Sequence, residues 1–402
     1  ATTEIYTLSL HDALPICRMF RFLHSADLHL GKPFGSMPDE LRGRLREARH
    51  AVLDRLAAQA RAARAETILL AGDVFDTETP SPAVLRQALA AMAGHAGLRW
   101  ILLPGNHDSL AAEALWAGLA TSQPGNVVLA TEAAPLQLAE DVVLLPAPCT
   151  TRRPGRDLTE WMDAAATPPG TIRIGLAHGA VQSFSEDGGA GDVIAPDRAG
   201  RAGLDYLALG DWHGQMRIGP RSWYSGAPEP DRFKHDASGR ALLVTMPAAG
   251  AEPSVEPVET GAFDWRTLAL DCLAGDEPST HLAALLPAGP ARRQSLIRIV
   301  ATGRTRPPAR ARLEAELKAI APEFALLQLE TQELVTECES EDLDQIDRAG
   351  ALRQAAELLL AESRDDGRSS NEREVAREAL MRLFRSEERR VGQGCRFRWP
   401  PY

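Results

Sequence analysis

Five short apolar runs between residues 20 and 214 end alike, each giving way within a few residues to side chains of metal-binding type. They are "FRFLHSADLH" (20–29), "TILLAGDVFD" (67–76), "RWILLPGNHD" (99–108), "TIRIGLAHG" (171–179) and "DYLALGDWHG" (205–214). An apolar run of four to eight residues reads as a strand buried on both faces. Between them lie helical patterns: "ELRGRLREARHAVLDRLAAQARAARA" (40–65), and "SPAVLRQALAAMAG" (81–94) opened by Ser-Pro. Strand and helix in alternation predict an α/β domain around a largely buried sheet. Polar residues just past the strand ends sit where open α/β sheets bind ligands. Further strands are expected at "VVLLPAP" (142–148), "RSWYSGAPEP" (221–230) and "RALLVTMPAAG" (240–250).

The strand ends supply Asp27 and His29, Asp73 and Asp76, Asn106 and His107, His178, and Asp211 and His213. Carboxylate, imidazole and amide oxygen suit Mn²⁺, Fe²⁺ or Zn²⁺, and the oxygen-rich mixture leans toward Mn²⁺. A lone Asp-x-His is usually a loop pair satisfied by its own surroundings. Five such motifs in order, each after an apolar strand, are not explained that way.

The order and spacing over residues 20 to about 247 resemble the calcineurin-like metallophosphoesterases. Within that family, "HSADLHLG", "YLALGDWH" and "YSGAPEP" look most like the SbcD-type DNA repair exonucleases. The resemblance implies a four-layer α/β/β/α sandwich with a two-metal site, a smaller α/β capping domain and C-terminal helices. It implies that Asp27, His29 and His213 hold one metal, that Asp73 bridges both, and that Asn106, His178 and Asp211 hold the second. His107 would contact the scissile phosphate and stabilise or protonate the leaving oxygen, with Asp76 orienting it. Position 211 departs from the pattern, which carries a histidine there; a carboxylate can ligate a divalent ion equally well. Two divalent ions, most simply Mn²⁺, neutralise a phosphodiester and activate water, which is what the slow attack on an anion requires.

The remaining histidines, His50, His95, His235 and His281, are expected to be surface or packing residues. His24 is expected to support the site without binding metal, and Trp212 to pack rather than to stack on a base.

The stretch "AAGAEPSVEPVETGAF" (248–263), rich in Pro, Gly and Glu, suggests a boundary closing a catalytic domain of residues 19–250. Beyond it the sequence predicts a strand from Trp265 to Leu270, a helix near 278–287, the strand "SLIRIVATG" (295–303), the helix "PPARARLEAELKAIA" (307–321) and the strand "ALLQLETQELV" (325–335). This is a compact module over 262–340. Two helices then follow over 341–385, joined by "RDDGRSS". The module would cap the site and contact DNA. Eight basic residues stand between Arg292 and Lys318 against Glu314 and Glu316, a local balance of +6 suited to phosphates. Leu352, Ala355, Ala356 and Leu359 lie at helical spacing, and could dock an SMC-like coiled-coil ATPase of the kind such nucleases work with. A helix packing on its own core is an equal alternative.

The 402 residues are 44% apolar and 25% charged, an ordinary globular composition, and no apolar run approaches the ~20 residues that span a bilayer. The net charge of −11 argues mildly against nucleic acid, though local charge matters more than the total. Residues 1–18 and 386–402 lack the Ala-rich, Arg-dominated texture of the rest, and look like translated adaptor sequence flanking a native chain that starts at Met19 and closes near Arg385. Cys149, Cys272 and Cys338 then remain, without metal spacing, as in a reducing cytoplasm. The expected activity is hydrolysis of DNA phosphodiesters in repair, with a homodimer left open and no membrane partner. The alternatives are a phosphodiesterase or phosphatase for a small substrate, since this kind of fold hosts many, and a non-catalytic metal-bearing scaffold. Retention of His107 weighs against the scaffold.

Overall fold

In the computed structural model, residues 19–181, 193–235, 238–273, 275, 278–345 and 350–394 are described. They fall into two compact units, one ending at Asp264 and one beginning at Trp265.

The first unit opens with β1 (Phe20–Ser25), α1 (Asp39–Ala62), β2 (Thr67–Leu70), α2 (Pro82–Ala93), β3 (Arg99–Leu102), α3 (Glu113–Ser122) and β4 (Val127–Leu129). Strands β1 to β4 lie side by side and parallel. The helices cover one face: Val52, Leu53 and Leu56 of α1 and Leu89 and Met92 of α2 join Leu23, Ile68 and Trp100 in one buried cluster. The Ser81 hydroxyl accepts the Val84 amide hydrogen at the start of α2, with Pro82 at the first helical position.

The chain continues through β5 (Leu136–Ala139), β6 (Val142–Ala147), β7 (Ile172–His178), the short pair β8 (Ala180–Val181) and β9 (Val193–Ile194), and the single turn α4 (Arg198–Arg201). It then forms β10 (Tyr206–Gly210), β11 (Met216–Gly219), β12 (Ser222–Tyr224) and β13 (Ser238–Met246). A second sheet runs in the order β11-β12-β10-β7-β6-β5, while β13 pairs antiparallel with β1. Between the sheets Phe22, Leu69 and Ile101 meet Leu144, Ile174, Tyr206 and Ala208. The outer face of the second sheet is covered by Met162, Ala199 and Leu204, on a 3₁₀ turn, α4 and the chain just after it. The architecture is therefore helix, sheet, sheet, helix, with a thin fourth layer.

The segment expected to mark a boundary is strand rather than linker, and the division between the two units falls just after it, at Asp264 and Trp265. Residues from Ser254 onward form the first part of β14 (Ser254–Cys272), a 19-residue strand paired with β13 through Thr245↔Ser254 to Arg240↔Glu259. Its Pro and Glu content suits a stretch whose side chains are largely exposed, and composition alone does not separate such a strand from a linker.

The second unit holds the rest of β14, α5 (Pro278–Leu285), β15 (Ser295–Thr305), α6 (Pro307–Ile320) and β16 (Leu326–Thr336). β15 and β16 are parallel, connected by α6, over a core of Leu270, Ile297, Ile299, Leu313, Leu317 and Phe324. Two helices follow, α7 (Ala351–Arg364) and α8 (Ser370–Gly394), whose Ala356, Leu360, Leu380 and Phe384 pack together. Of the docking residues expected on α7, Ala356 is buried and Leu352 and Leu359 lie against this same cluster, so part of that face packs on its own unit. Of the two end segments set aside on sequence grounds, 1–18 and 395–402 lie outside the described residues, and α8 runs on to Gly394, past Arg385.

A candidate two-metal centre at the strand ends

Parallel strands bring their C-terminal ends to one edge, so loops far apart in sequence meet there. Three sets of side chains gather, each with ligand atoms within 4.8 Å of one another: Asp27, His29 and His213; His29, Asp73 and His107; and Asp27, Asp73 and His178. Nε2 of His29 faces Nε2 of His213 at 3.2 Å and lies 3.7 Å from Asp73 Oδ2. Nε2 of His178 lies 3.5 Å from Asp73 Oδ1 and 3.8 Å from Asp211 Oδ1. Asp73 thus stands between the two sets of ligands.

The local backbone is bent to this purpose. Asp27, His29, Asp73 and Asp211 all have positive φ, at 56°, 45°, 53° and 104°, four of the six such non-glycine residues described. Backbone strain of this kind gathers at functional sites. Two glycines allow the loops to close: a Cβ on Gly105 would overlap the amide nitrogen and carboxylate of Asp73, and one on Gly72 (φ +89°) would overlap the His178 ring.

The orientation of each ligand has a visible cause. His178 Nδ1 meets the Ala71 carbonyl at 2.8 Å, which leaves Nε2 for the site. The Asn106 amide donates from Nδ2 to Asp211 Oδ1 at 2.9 Å, and this bond does not use its Oδ1. Both His178 Nε2 and Asn106 Oδ1 are buried without a hydrogen-bond partner. A buried acceptor left unmet is costly, and a cation is the partner that would satisfy both. Burial pushes the Asp73 carboxyl up to about 7, opposed by the His107 charge and amide. A buried carboxylate that would rather hold a proton is one that a divalent ion would stabilise. The residues present therefore fit two divalent ions.

Asp211 is close to this centre yet outside the three clusters. Its amide donates to the Asp27 carboxylate (3.1 Å) and its own carboxylate holds Asn106.

The His107 amide donates to Asp73 Oδ1 at 2.9 Å, and its ring Nδ1 donates to a carbonyl at 3.0 Å, which leaves Nε2 outside that contact. That carbonyl is the main chain of Asp76. The carboxylate expected to orient His107 lies elsewhere, with Oδ1 3.3 Å from His29 Nδ1 and 3.6 Å from Lys32 Nζ. The loop after β2 turns the Asp76 carbonyl toward residue 107 and the Asp76 side chain toward His29 and Lys32. Burial raises the Asp76 carboxyl, but the His29 ring beside it and the Lys32 charge outweigh it and hold the group low.

His24 is fully buried, with Nδ1 3.0 Å from the Tyr206 hydroxyl and Nε2 3.2 Å from the Leu209 carbonyl, and burial lowers its pKa to about 3. His95 pairs with Asp54 at 2.8 Å on the surface. Trp212 packs beside the outer cluster with Lys234 5.2 Å from its ring centre, as a packing residue would.

Sequence reasoning missed several supporting residues. Asp108 is buried and accepts from the amides of Gly105 and Phe75, tying two ligand loops together. Its position inside "GNHD" was the available signal. Asp231, which lies 3.4 Å from His213 Nδ1, and Arg49, which is buried beneath, gave none.

Two stacked sheets gather candidate ligands for divalent ions at their strand ends. Residues 20–215 match the model of the family described as calcineurin-like phosphoesterase. The SbcD component of the SbcCD nuclease of Rhodobacter capsulatus is 30% identical over 286 residues, covering 59% of this chain and 69% of that protein. The corresponding Escherichia coli K12 protein is 38% identical over 94 residues, 23% of this chain and 22% of that protein. The uncharacterized metallophosphoesterase YhaO of Bacillus subtilis is 28% identical over 236 residues, 56% of each. The chain belongs to the calcineurin-like metallophosphoesterases, and within them it is similar to the SbcD-type branch.

Among the described residues no helix is long and apolar enough to cross a membrane.

Proposed function

We propose that this phosphoesterase is a DNA nuclease of the SbcD type, acting in repair in the cytoplasm with two Mn²⁺ ions and an SMC-like coiled-coil ATPase. The observation that carries the reading is the similarity to a nuclease component over 69% of that protein's length. The site supports it chemically. Asp27, His29 and His213 would hold one ion and Asn106, His178 and Asp211 the other, with Asp73 shared between them. When bound, the ions supply Lewis acidity toward the phosphate and lower the pKa of water. The chain's own contribution is to fix the ligands, and to hold His107 Nε2 where it can give a proton to the leaving oxygen.

A second reading, hydrolysis of a small phosphodiester, is favoured by one observation. The Arg-rich stretch expected to meet DNA is already neutralised within its own unit. Arg292 pairs with Glu323, Arg298 with Glu330, Arg304 with Glu337, Arg306 with Glu339 and Asp342, and Arg310 with Glu314. Seven carboxylates between residues 319 and 342 bring the local sum from +6 to −1.

The test is full-length protein with Mn²⁺ on linear duplex DNA beside bis-p-nitrophenyl phosphate, with and without an SMC-like ATPase. DNA cleavage that needs Mn²⁺ is the expected result. Hydrolysis of the diester with no cleavage of DNA under either condition would discard the nuclease reading in favour of the second.

A further inference from the structure

The two imidazoles that face each other across the first ligand set are each backed by a carboxylate. His29 has Asp76 Oδ1 at 3.3 Å from Nδ1, and His213 has Asp231 Oδ1 at 3.4 Å from Nδ1. The two carboxylates come from different loops, and a single ammonium reaches both. Lys32 Nζ lies 2.7 Å from Asp231 Oδ2 and 3.6 Å from Asp76 Oδ1. We propose that Lys32, Asp76 and Asp231 form one charged brace that sets the attitude of His29 and His213, making Lys32 a positioning residue for the ion those two rings would share. The inference rests on the two-metal reading of the site.

Three features argue that the brace is built rather than incidental. Asp231 has a side chain only 1% exposed, and Lys32 reaches it from a position 23% exposed, so solvent screens the pair weakly. The loop that carries Asp231 is anchored from below. The buried Arg49 guanidinium donates to the carbonyls of Glu229 at 2.9 Å and Pro230 at 3.2 Å. It also donates to the carbonyl of Leu28, between two metal-ligand positions, at 2.6 Å. The third feature is the residue type. This chain uses arginine for nearly all its cations, Lys32, Lys234 and Lys318 being its only lysines. A compact ammonium can touch carboxylates arriving from two directions, whereas a planar guanidinium favours one carboxylate held by two parallel bonds. Carboxylates behind ligating histidines fix the tautomer and ring orientation, and losing such support typically costs about 10–100-fold in metal affinity. The Asp231 segment also gives "YSGAPEPD" a purpose at the site: it delivers the carboxylate behind His213.

The test is Mn²⁺ binding to the full chain, by calorimetry and by electron paramagnetic resonance, which reads the coupling between two neighbouring ions. Wild type is expected to bind two coupled ions. In Lys32→Met one ion should weaken by about 10–100-fold and the coupled signal should give way to that of a single ion, with the other ion unchanged. Lys32→Arg, which restores the charge but offers a planar head that favours one carboxylate, should recover only part of the loss. Asp231→Asn approaches the brace from its other end and should weaken the same ion, with the double variant no worse than either single one. Unchanged affinity in both single variants, or equal weakening of both ions, would overturn the brace. Wild type that binds no Mn²⁺ would instead remove the two-metal reading beneath it, so the two failures are told apart.

Discussion

His107 is held at two points: its amide donates to the shared carboxylate Asp73, and its ring donates through Nδ1 to the Asp76 carbonyl. It is tied to the ligand set by main chain, so removing the ring should leave the ligands in place. His107→Ala is expected to keep two metal ions and to slow phosphodiester cleavage by about 10²-fold or more, as loss of a positioned acid does. Metal analysis beside steady-state turnover checks this, and unchanged turnover would give the histidine another role. His24 behaves differently, being buried between Tyr206 and the Leu209 carbonyl with its pKa lowered from 6.5 to about 3. The unfolded chain takes up this proton near pH 6.5 and the folded one does not until about 3. Its contribution to stability is therefore full above pH 6.5 and falls as pH drops through that window, by about 1.4 kcal/mol per pH unit. Urea unfolding at pH 6.5 and 5 should show a shallower loss in His24→Gln than in wild type; parallel slopes would mean that His24 charges within the fold.

The loops at the strand ends depend on residues with no side chain to spare. Gly105→Ala would drive a methyl group into Asp73, so loss of metal and of activity is expected even where the fold persists. Gly118, exposed on α3 with nothing within 4 Å of a Cβ, is the contrasting case. Gly118→Ala should stabilise the protein by about 0.5–1 kcal/mol without touching activity. Thermal melts and metal analysis of the pair separate close approach from propensity. The same elements show what the sequence could reveal. Strands buried on both faces announce themselves as apolar runs, and their polar ends mark the ligands. Short partners such as β4, with three residues, and β11, with four, carry too little pattern to stand out. The first part of β14 is hidden by Pro257 and its glutamates, because a largely exposed stretch of strand carries no apolar run to announce it.

Across the whole molecule, what the sequence could not show is what depends on distance along the chain. The Arg cluster after residue 292 looked basic because its counter-charges lie mainly on β16 and just beyond it, and parallel pairing with β15 brings them alongside. Lys32, Asp76 and Asp231 are separated by up to 199 positions yet share one set of contacts. Asp211, read from its motif as a ligand, meets Asn106 directly, a contact no spacing rule predicts. A two-metal centre built by the strand-end loops of the first unit is checked most directly by anomalous scattering from crystals of the full chain soaked in Mn²⁺. Two peaks roughly 3.5–4 Å apart are expected, one between Asp27, His29 and His213, the other beside Asn106, His178 and Asp211, with Asp73 touching both. A single peak, or peaks away from these side chains, would mean that the loops do not build such a centre.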